Sequence, residues 1–249
     1  MINIKNASEI KKMRQAGLVV AKAHYAVAKA ICPGITTKEL DDIALAVITK
    51  AGAIPSFKGY NGYPANICTS VNDEVIHGIP SGRKLLQGDI VGVDIGALLD
   101  GFHGDAAATH GVGKISLDAK KLIETAQLAF YEGIKNAREG MRLSDISAAI
   151  QQLVEGNGYS IVKDFVGHGI GRNMHEEPEV PNYVTRRHGT RLYAGMALAI
   201  EPMINLGNEI VKVLEDGWTV VTLDGTLSAH YEHTIIITKN EPMIMTTLE

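Results

Sequence analysis

Four carboxylates set in or against apolar, strand-like runs constrain this chain more than any other feature. Asp94 lies in DIVGVDIGALL, Asp105 in DGFHGDAAA, Glu201 ends GMALAIEP and Glu232 opens YEHTIIIT. A carboxylate withdrawn from water costs several kcal/mol unless a positive charge compensates it. No Lys or Arg is interleaved with these runs, so the compensation must come from outside them. A fold that gathers the four acids with one imidazole, His168, would suit two divalent cations. Four negative charges would then meet four positive ones. Oxygen-rich ligation with one imidazole suits Mn, Fe, Co or Zn more than Cu, and shows no thiolate preference. Such a pair polarises a carbonyl and generates hydroxide near neutral pH, so hydrolysis is the expected reaction class.

The rest of the composition narrows the setting. With 249 residues, 45% hydrophobic and 21% charged, the chain reads as soluble and globular with ample core material. A formal charge of −4 leaves no electrostatic footprint for direct binding to nucleic acid or an anionic membrane. Cys32 and Cys68 are too few for a disulfide framework, which fits a reducing compartment. The opening MINIKNASEIKKMRQAG lacks the apolar centre of a signal peptide, and no run approaches the roughly 18 apolar residues of a membrane span. The expected location is the cytoplasm, and a monomer is the default state.

Compared with itself, the chain shows a duplication. At an offset of about 106, Tyr25 matches Tyr131, Gly34 matches Gly140 and Gly52 matches Gly158. The stripe Leu40, Ile43, Ala44, Val47, Ile48 returns as Ile146, Ala149, Ile150, Leu153, Val154, one apolar face of a helix in each copy. Thr36 and Glu39 form a capping box before the first stripe, and Gly52 is its stop. One residue further in offset, Leu85, Gly88, Val91, Val93 and Asp94 match Leu192, Gly195, Leu198, Ile200 and Glu201. Each half therefore reads as helix, helix, strands. The halves, residues 8–112 and 115–240, should meet around a pseudo-twofold axis with Asp94 and Glu201 facing each other. Tight turns between strands predict a largely antiparallel sheet with helices on one face, an α+β fold in one domain over residues 1–249.

The spacing of the acids can be tested on paper. Asp100-Gly101 is a hairpin turn signal between two extended runs. A two-residue turn there pairs Asp105 with Gly96, diagonal to Asp94; a turn at Leu99-Asp100 pairs Asp105 with Asp94 itself. Both registers leave the two carboxylates on one sheet face, a repulsive arrangement that a cation would relieve. Pro202 biases Glu201 towards an extended backbone, and Glu232 leads into the β-branched run Thr234 to Thr238, which places two glutamates at the ends of two buried strands. His168 lies in GHGIG, whose glycines would permit tight turns and leave the ring open; a phosphate cradle is the competing reading, but no GK[ST] follows. His175 opens HEEP, and His77 closes an apolar run in VIHGIP. His24, His103, His110, His188, His230 and His233 rank lower, although His103, His230 and His233 lie close to ligands in sequence.

Together the segments NGYPANICTSVNDEVIHGIP, DIVGVDIGALLDGFHGD, GHGIGRNMHEEP, GMALAIEPM and YEHTIIIT resemble methionine aminopeptidase, type I, over essentially the whole chain. The resemblance implies the pita-bread fold and removal of the initiator methionine from nascent polypeptides when the second residue is small. It implies that Asp94 chelates one metal, that Asp105 and Glu232 bridge both, and that His168 and Glu201 complete the ligand set of the second ion. A bridging hydroxide would attack the scissile carbonyl, with Glu201 as proton shuttle. His175 would stabilise the carbonyl oxygen and His77 would contact the substrate amide. Tyr60, Tyr63, Cys68, Met203 and Trp218 would wall the methionine pocket, as aromatic and sulfur groups suit a thioether; taken alone they are ordinary core or loop residues. Phe57 and Met174 stand at positions that vary in the family. Without a type II insertion or a zinc-binding or polybasic extension, any docking at the ribosome would be direct.

Three rival readings fit the sequence less well. A proline-specific peptidase of the same fold would usually carry a separate N-terminal domain, and none fits before Ile31. A metal-free binding module should have lost ligands. A phosphate-binding protein lacks its lysine. The chain's own start, Met1-Ile2, puts a bulky β-branched residue where the substrate rule wants a small one, so Met1 should be retained.

Overall fold

The computed structural model describes residues 2–186 and 189–248. The first half runs α1 (Ala7–Ala30), α2 (Thr37–Lys50), β1 (Ile54–Pro55), β2 (Cys68–Val71), β3 (Glu74–Ile76), β4 (Ile90–Leu99) and β5 (Phe102–Gly111). The second runs α3 (Leu117–Ile134), α4 (Leu143–Gly156), β6 (Ser160–Ile161), β7 (Gly167–Gly169), β8 (Glu176–Val180), β9 (Ala197–Ile200), β10 (Met203–Asn205), β11 (Val211–Val213), β12 (Val220–Thr222), β13 (Ser228–Ile236) and β14 (Met243–Ile244).

Local signals account for the helices. Asn6 starts α1 by accepting from the Ser8 and Glu9 N–H groups, while Glu9 reaches back to the Asn6 N–H. Thr36 and Glu39 make the expected reciprocal pair at α2, satisfying two donors that the helix leaves open. At α4 only the return half survives, with the Asp145 carboxylate accepting from the Arg142 N–H. The apolar stripes are buried as read: Leu40, Ala44 and Ile48 on α2, Ile146, Ile150 and Val154 on α4. Each such aliphatic side chain contributes on the order of 1.5–3 kcal/mol.

The duplication extends to single hydrogen bonds. Gly34 N–H donates to Leu85 O, and Gly140 N–H to Leu192 O. Leu85 N–H returns to Ile35 O, and Leu192 N–H to Met141 O. Thr36 bridges Lys84 where Arg142 bridges Arg191. The paired glycines share a left-handed backbone: φ is 98° and 93° at Gly34 and Gly140, 97° and 90° at Gly88 and Gly195. Chance resemblance of helices would not reproduce these matches.

Both halves build one antiparallel sheet whose central order is β1-β4-β5-β13-β9-β7-β8. A small sheet, β11-β12-β3, flanks it. Val93, Ile95 and Ala97 on β4 pack with Val20, Val27, Leu40 and Ile48 of α1 and α2. Leu198, Ile200 and Ile235 pack with Leu122, Phe130, Ile146 and Ile150 of α3 and α4. Since side chains alternate along a strand, Asp94 must face away from the helices. The helix layer covers one face and leaves the other for the acids. α1 is pressed so close to the C-terminal segment that a Cβ at Gly17 would sit 2.1 Å from Met245 O. Among the described residues, no helix is long and apolar enough to cross a membrane.

Candidate active site

The β4–β5 hairpin settles the position of the first two acids. Asp100 and Gly101 have φ of 50° and 77°, the two left-handed residues of a two-residue turn whose twist matches that of its strands. Leu99 pairs with Phe102, Gly96 with Asp105 and Asp94 with Ala107. Asp105 is thus diagonal to Asp94, and the Leu99-Asp100 turn is excluded. Ala107 also pairs with Glu232, which brings the third acid to the same row. Glu232 is in the middle of β13 and does not open it, because pairing begins at Ser228. Glu201 follows β9 directly, its carbonyl held by the Asn182 amide at 3.0 Å. His168 is central in β7 and pairs with Ala199 of β9.

The glycines of GHGIG do something other than open a turn. A Cβ at Gly167 would lie 2.4 Å from Ala199 O, and one at Gly169 2.2 Å from Glu177 O. They allow β7 to fit tightly between β8 and β9. The expectation of an accessible turn is corrected: the segment is a buried strand.

The site is crowded with acid and short of cations. Asp105, His168 and Glu232 offer ligand atoms within 4.8 Å of one another, as do Glu201, His230 and Glu232. Asp94 Oδ1, Asp105 Oδ1 and Glu232 Oε1 are buried without a hydrogen-bond partner. Burial pushes the Asp94 carboxyl up to about 7. It pushes those of Asp105, Glu201 and Glu232 well above the usual range, and the neighbouring acids add to this. His168 Nδ1 lies 2.8 Å from Gly169 O, so this nitrogen carries the proton and Nε2 presents its lone pair to Glu201 Oε1, 3.7 Å away. Burial holds the ring neutral, with a value of about 3. Orphaned acceptors, a lone pair aimed among them and no Lys or Arg in the lining together fit divalent cations.

Above this cluster is a cavity of about 210 Å³. Its wall includes Phe57, Tyr60, Tyr63, Cys68, Met174 and Trp218. The Tyr63 ring meets Trp218 edge-on at 5.1 Å, and its hydroxyl is turned away to donate to Ile67 O or Gly78 O. Cys68 pairs across the strands with Asp94, which joins the apolar wall to the acids. Met203 does not line the cavity. It is fully buried with Val75, Ile76, Val162 and Val220, because β10 turns its side chain into the core beneath the wall. Ile76, Phe165, Val166 and Asn61 also line the cavity and were not foreseen. Phe165 and Val166 had a weak signal in the apolar run leading into GHGIG.

His77 and His175 both border the cavity. His77 has φ 60°, a strained backbone for a non-glycine residue, and faces Phe165 and Trp218 edge-on. Burial and His175 push it down to about 4. His175 Nδ1 is 2.7 Å from Tyr60 OH, and its ring centre is 4.1 Å from that of His168. Burial lowers it as well. Of the lower-ranked histidines, His230 joins the cluster: its buried Nε2 is 3.9 Å from Glu201 and 3.8 Å from Glu232. A period of two from Glu232 was the signal that could have found it. His24, His110 and His233 line a separate groove on the helix side, and His103 bonds Ser56 Oγ. His188 lies outside the described residues.

Residues 11–239 match the model of Metallopeptidase family M24, a metal-dependent peptidase class that the clustered acids on an antiparallel, pseudo-symmetric sheet suit. The chain belongs to that family, whose members use divalent metal, and its pita-bread architecture is the family's. It is 55% identical to the methionine aminopeptidase of Clostridium perfringens over the full length of both chains. It is 53% identical to methionine aminopeptidase 1 of Bacillus subtilis over 99% of each. The crystal structure of the methionine aminopeptidase of Thermotoga maritima superposes with a TM-score of 0.97 at 47% identity, covering 99% of this chain and 100% of that one.

Proposed function

We propose that this protein is a cytoplasmic methionine aminopeptidase, a single catalytic domain over residues 1–249 that removes the initiator methionine from nascent chains with a small second residue. The observation that carries the reading is the convergence of Asp105, Glu201, Glu232 and the buried Asp94 Oδ1 with the His168 lone pair beneath a cavity of single-side-chain size. Asp94, Asp105, His168, Glu201 and Glu232 would hold two divalent cations, from Mn, Fe, Co or Zn. Bound there, the cations supply carbonyl polarisation and acidification of water.

The chain's own groups do the rest. Both His77 and His175 are neutral near pH 7, so they act as hydrogen-bond donors without adding charge to the site. If the Tyr60 hydroxyl donates to His175 Nδ1, Nε2 keeps its proton for the carbonyl oxygen as negative charge develops there. His77, which also borders the cavity, would contact the scissile amide nitrogen. Glu201 would take the proton from the attacking water and return it to the leaving amine. Phe57, Tyr60, Tyr63, Cys68, Met174 and Trp218 enclose the thioether and exclude water.

The test is release of methionine from Met-Ala-Ser, Met-Ile-Ser and an Xaa-Pro peptide, with chelated protein and then with each added metal. Metal-dependent release from Met-Ala-Ser alone is the expected result. Cleavage only before proline, or none with any metal, overturns the reading.

A further inference from the structure

The N-terminal arm ends in a buried ion pair that touches the loop carrying His175. Lys5 Nζ lies 2.6 Å from Glu176 Oε2, with side-chain exposures of 4% and 5%. Glu176 follows His175 directly in sequence. Its carboxylate collects four donors: Lys5 Nζ, the Asn3 amide at 3.3 Å, and the N–H groups of Arg172 at 2.8 Å and Asn173 at 3.2 Å. Burial pushes this carboxyl up, but Lys5 and the Asn173 N–H outweigh it and hold it below the usual range. It is therefore ionised, and it draws the loop from Gly171 to His175 closed around itself.

The arm is held from its other side. Lys5 N–H donates to Gly195 O at 2.8 Å. The lysine stem crosses Gly171 so closely that a Cβ there would be 2.5 Å from Lys5 Cε. Gly171 O accepts from the His103 N–H, which ties the loop to β5, the strand of Asp105. One charged, directional contact thus links residues 171 positions apart in sequence and ends one residue from the candidate oxyanion donor.

We propose that Lys5 is a positioning residue for His175: by holding the Glu176 carboxylate, the N-terminal arm sets where the imidazole stands over the scissile carbonyl. The inference rests on the role given to His175 above. Displacing a catalytic group by about 1 Å is worth on the order of 100-fold in rate, so the effect should be measurable in turnover.

The experiment measures kcat and KM for Met-Ala-Ser with metal-loaded Lys5→Met, Lys5→Arg, Glu176→Gln, His175→Ala and the Lys5→Met/His175→Ala double variant. Metal content and thermal midpoint are recorded for each. Lys5→Met should lower kcat by about 10- to 100-fold with KM within about twofold, and Lys5→Arg should recover most of the loss. In the His175→Ala background Lys5→Met should change kcat by less than about twofold, since the group it positions is gone. A purely structural role would cost the same factor in both backgrounds, and that result overturns the proposal, as does an unchanged kcat in Lys5→Met. Full kcat in His175→Ala would instead refute the role of His175 and remove the basis of the proposal. If Lys5→Met fails to fold, Glu176→Gln, which keeps the shape and loses the charge, is measured alone and combined with His175→Ala and answers the same comparison.

Discussion

Asparagine in place of Asp94 should stabilise the chelated protein while disabling it. Burial pushes the Asp94 carboxyl from 3.8 to about 7. Between those values the unfolded chain has released the proton that the folded chain still holds. Stability therefore falls as pH rises from about 4 to about 7 and stays low above that. Roughly 3 pH units at about 1.4 kcal/mol each give a ceiling of about 4 kcal/mol. Asp94→Asn keeps the shape and cannot ionise. In chelator it should gain up to about 4 kcal/mol near pH 8 and nothing near pH 4, which for a chain of this length is about 10 °C in Tm. Saturating Mn²⁺ should reverse the order, because metal stabilises the wild-type fold by mass action and the variant has lost a ligand. Thermal unfolding at both pH values, with and without metal, checks this. A variant less stable than wild type near pH 8 in chelator, or a gain independent of pH, refutes the argument.

Native protein should expose one thiol to a disulfide reagent and denatured protein two: Cys32 is on the surface, while Cys68 is buried beside Asp94 with its thiol pushed well up. Equal reaction of both in the native state would contradict that placement. Gly17→Ala should lose about 2 kcal/mol or more in urea titrations, since its Cβ would meet Met245 O, although helix propensity alone predicts a gain of about 1 kcal/mol. A measured gain would show that the C-terminal segment moves aside. Met1 should remain on the expressed protein ahead of Ile2, and an intact mass short by about 131 Da would contradict the size rule for the second residue.

The legible features were those written in consecutive residues. The Thr36–Glu39 cap and the α2 and α4 stripes depend on spacings of three or four residues and are found where the spacing put them, and of the two hairpin turns the sequence allowed the structure takes Asp100-Gly101. The duplication was legible because identical folding demands left-handed backbone at the same offsets, and glycine marks those positions. Where local pattern was ambiguous, neighbours decided. The glycines around His168 could serve a turn or a tight strand, and β8 and β9 on either side make them a strand. Met203 follows Glu201 and Pro202, yet its side chain goes into the core behind the pocket wall. His230 shares a strand face with Glu232, and only the pairing of β13 with its neighbours brings it to the acids.

What the sequence determined by itself is the inventory and its tension: four acids in apolar surroundings with no basic partner, which no fold could bury without cations or protons. Only the tertiary structure decided which atoms share that tension and what steadies them. The 3.7 Å approach of His168 to Glu201 and the Lys5–Glu176 pair join segments far apart in the chain. Such distances come from how β7 packs beside β9 and how the N-terminal arm closes over the loop before β8. Periodicity along one strand carries no record of them.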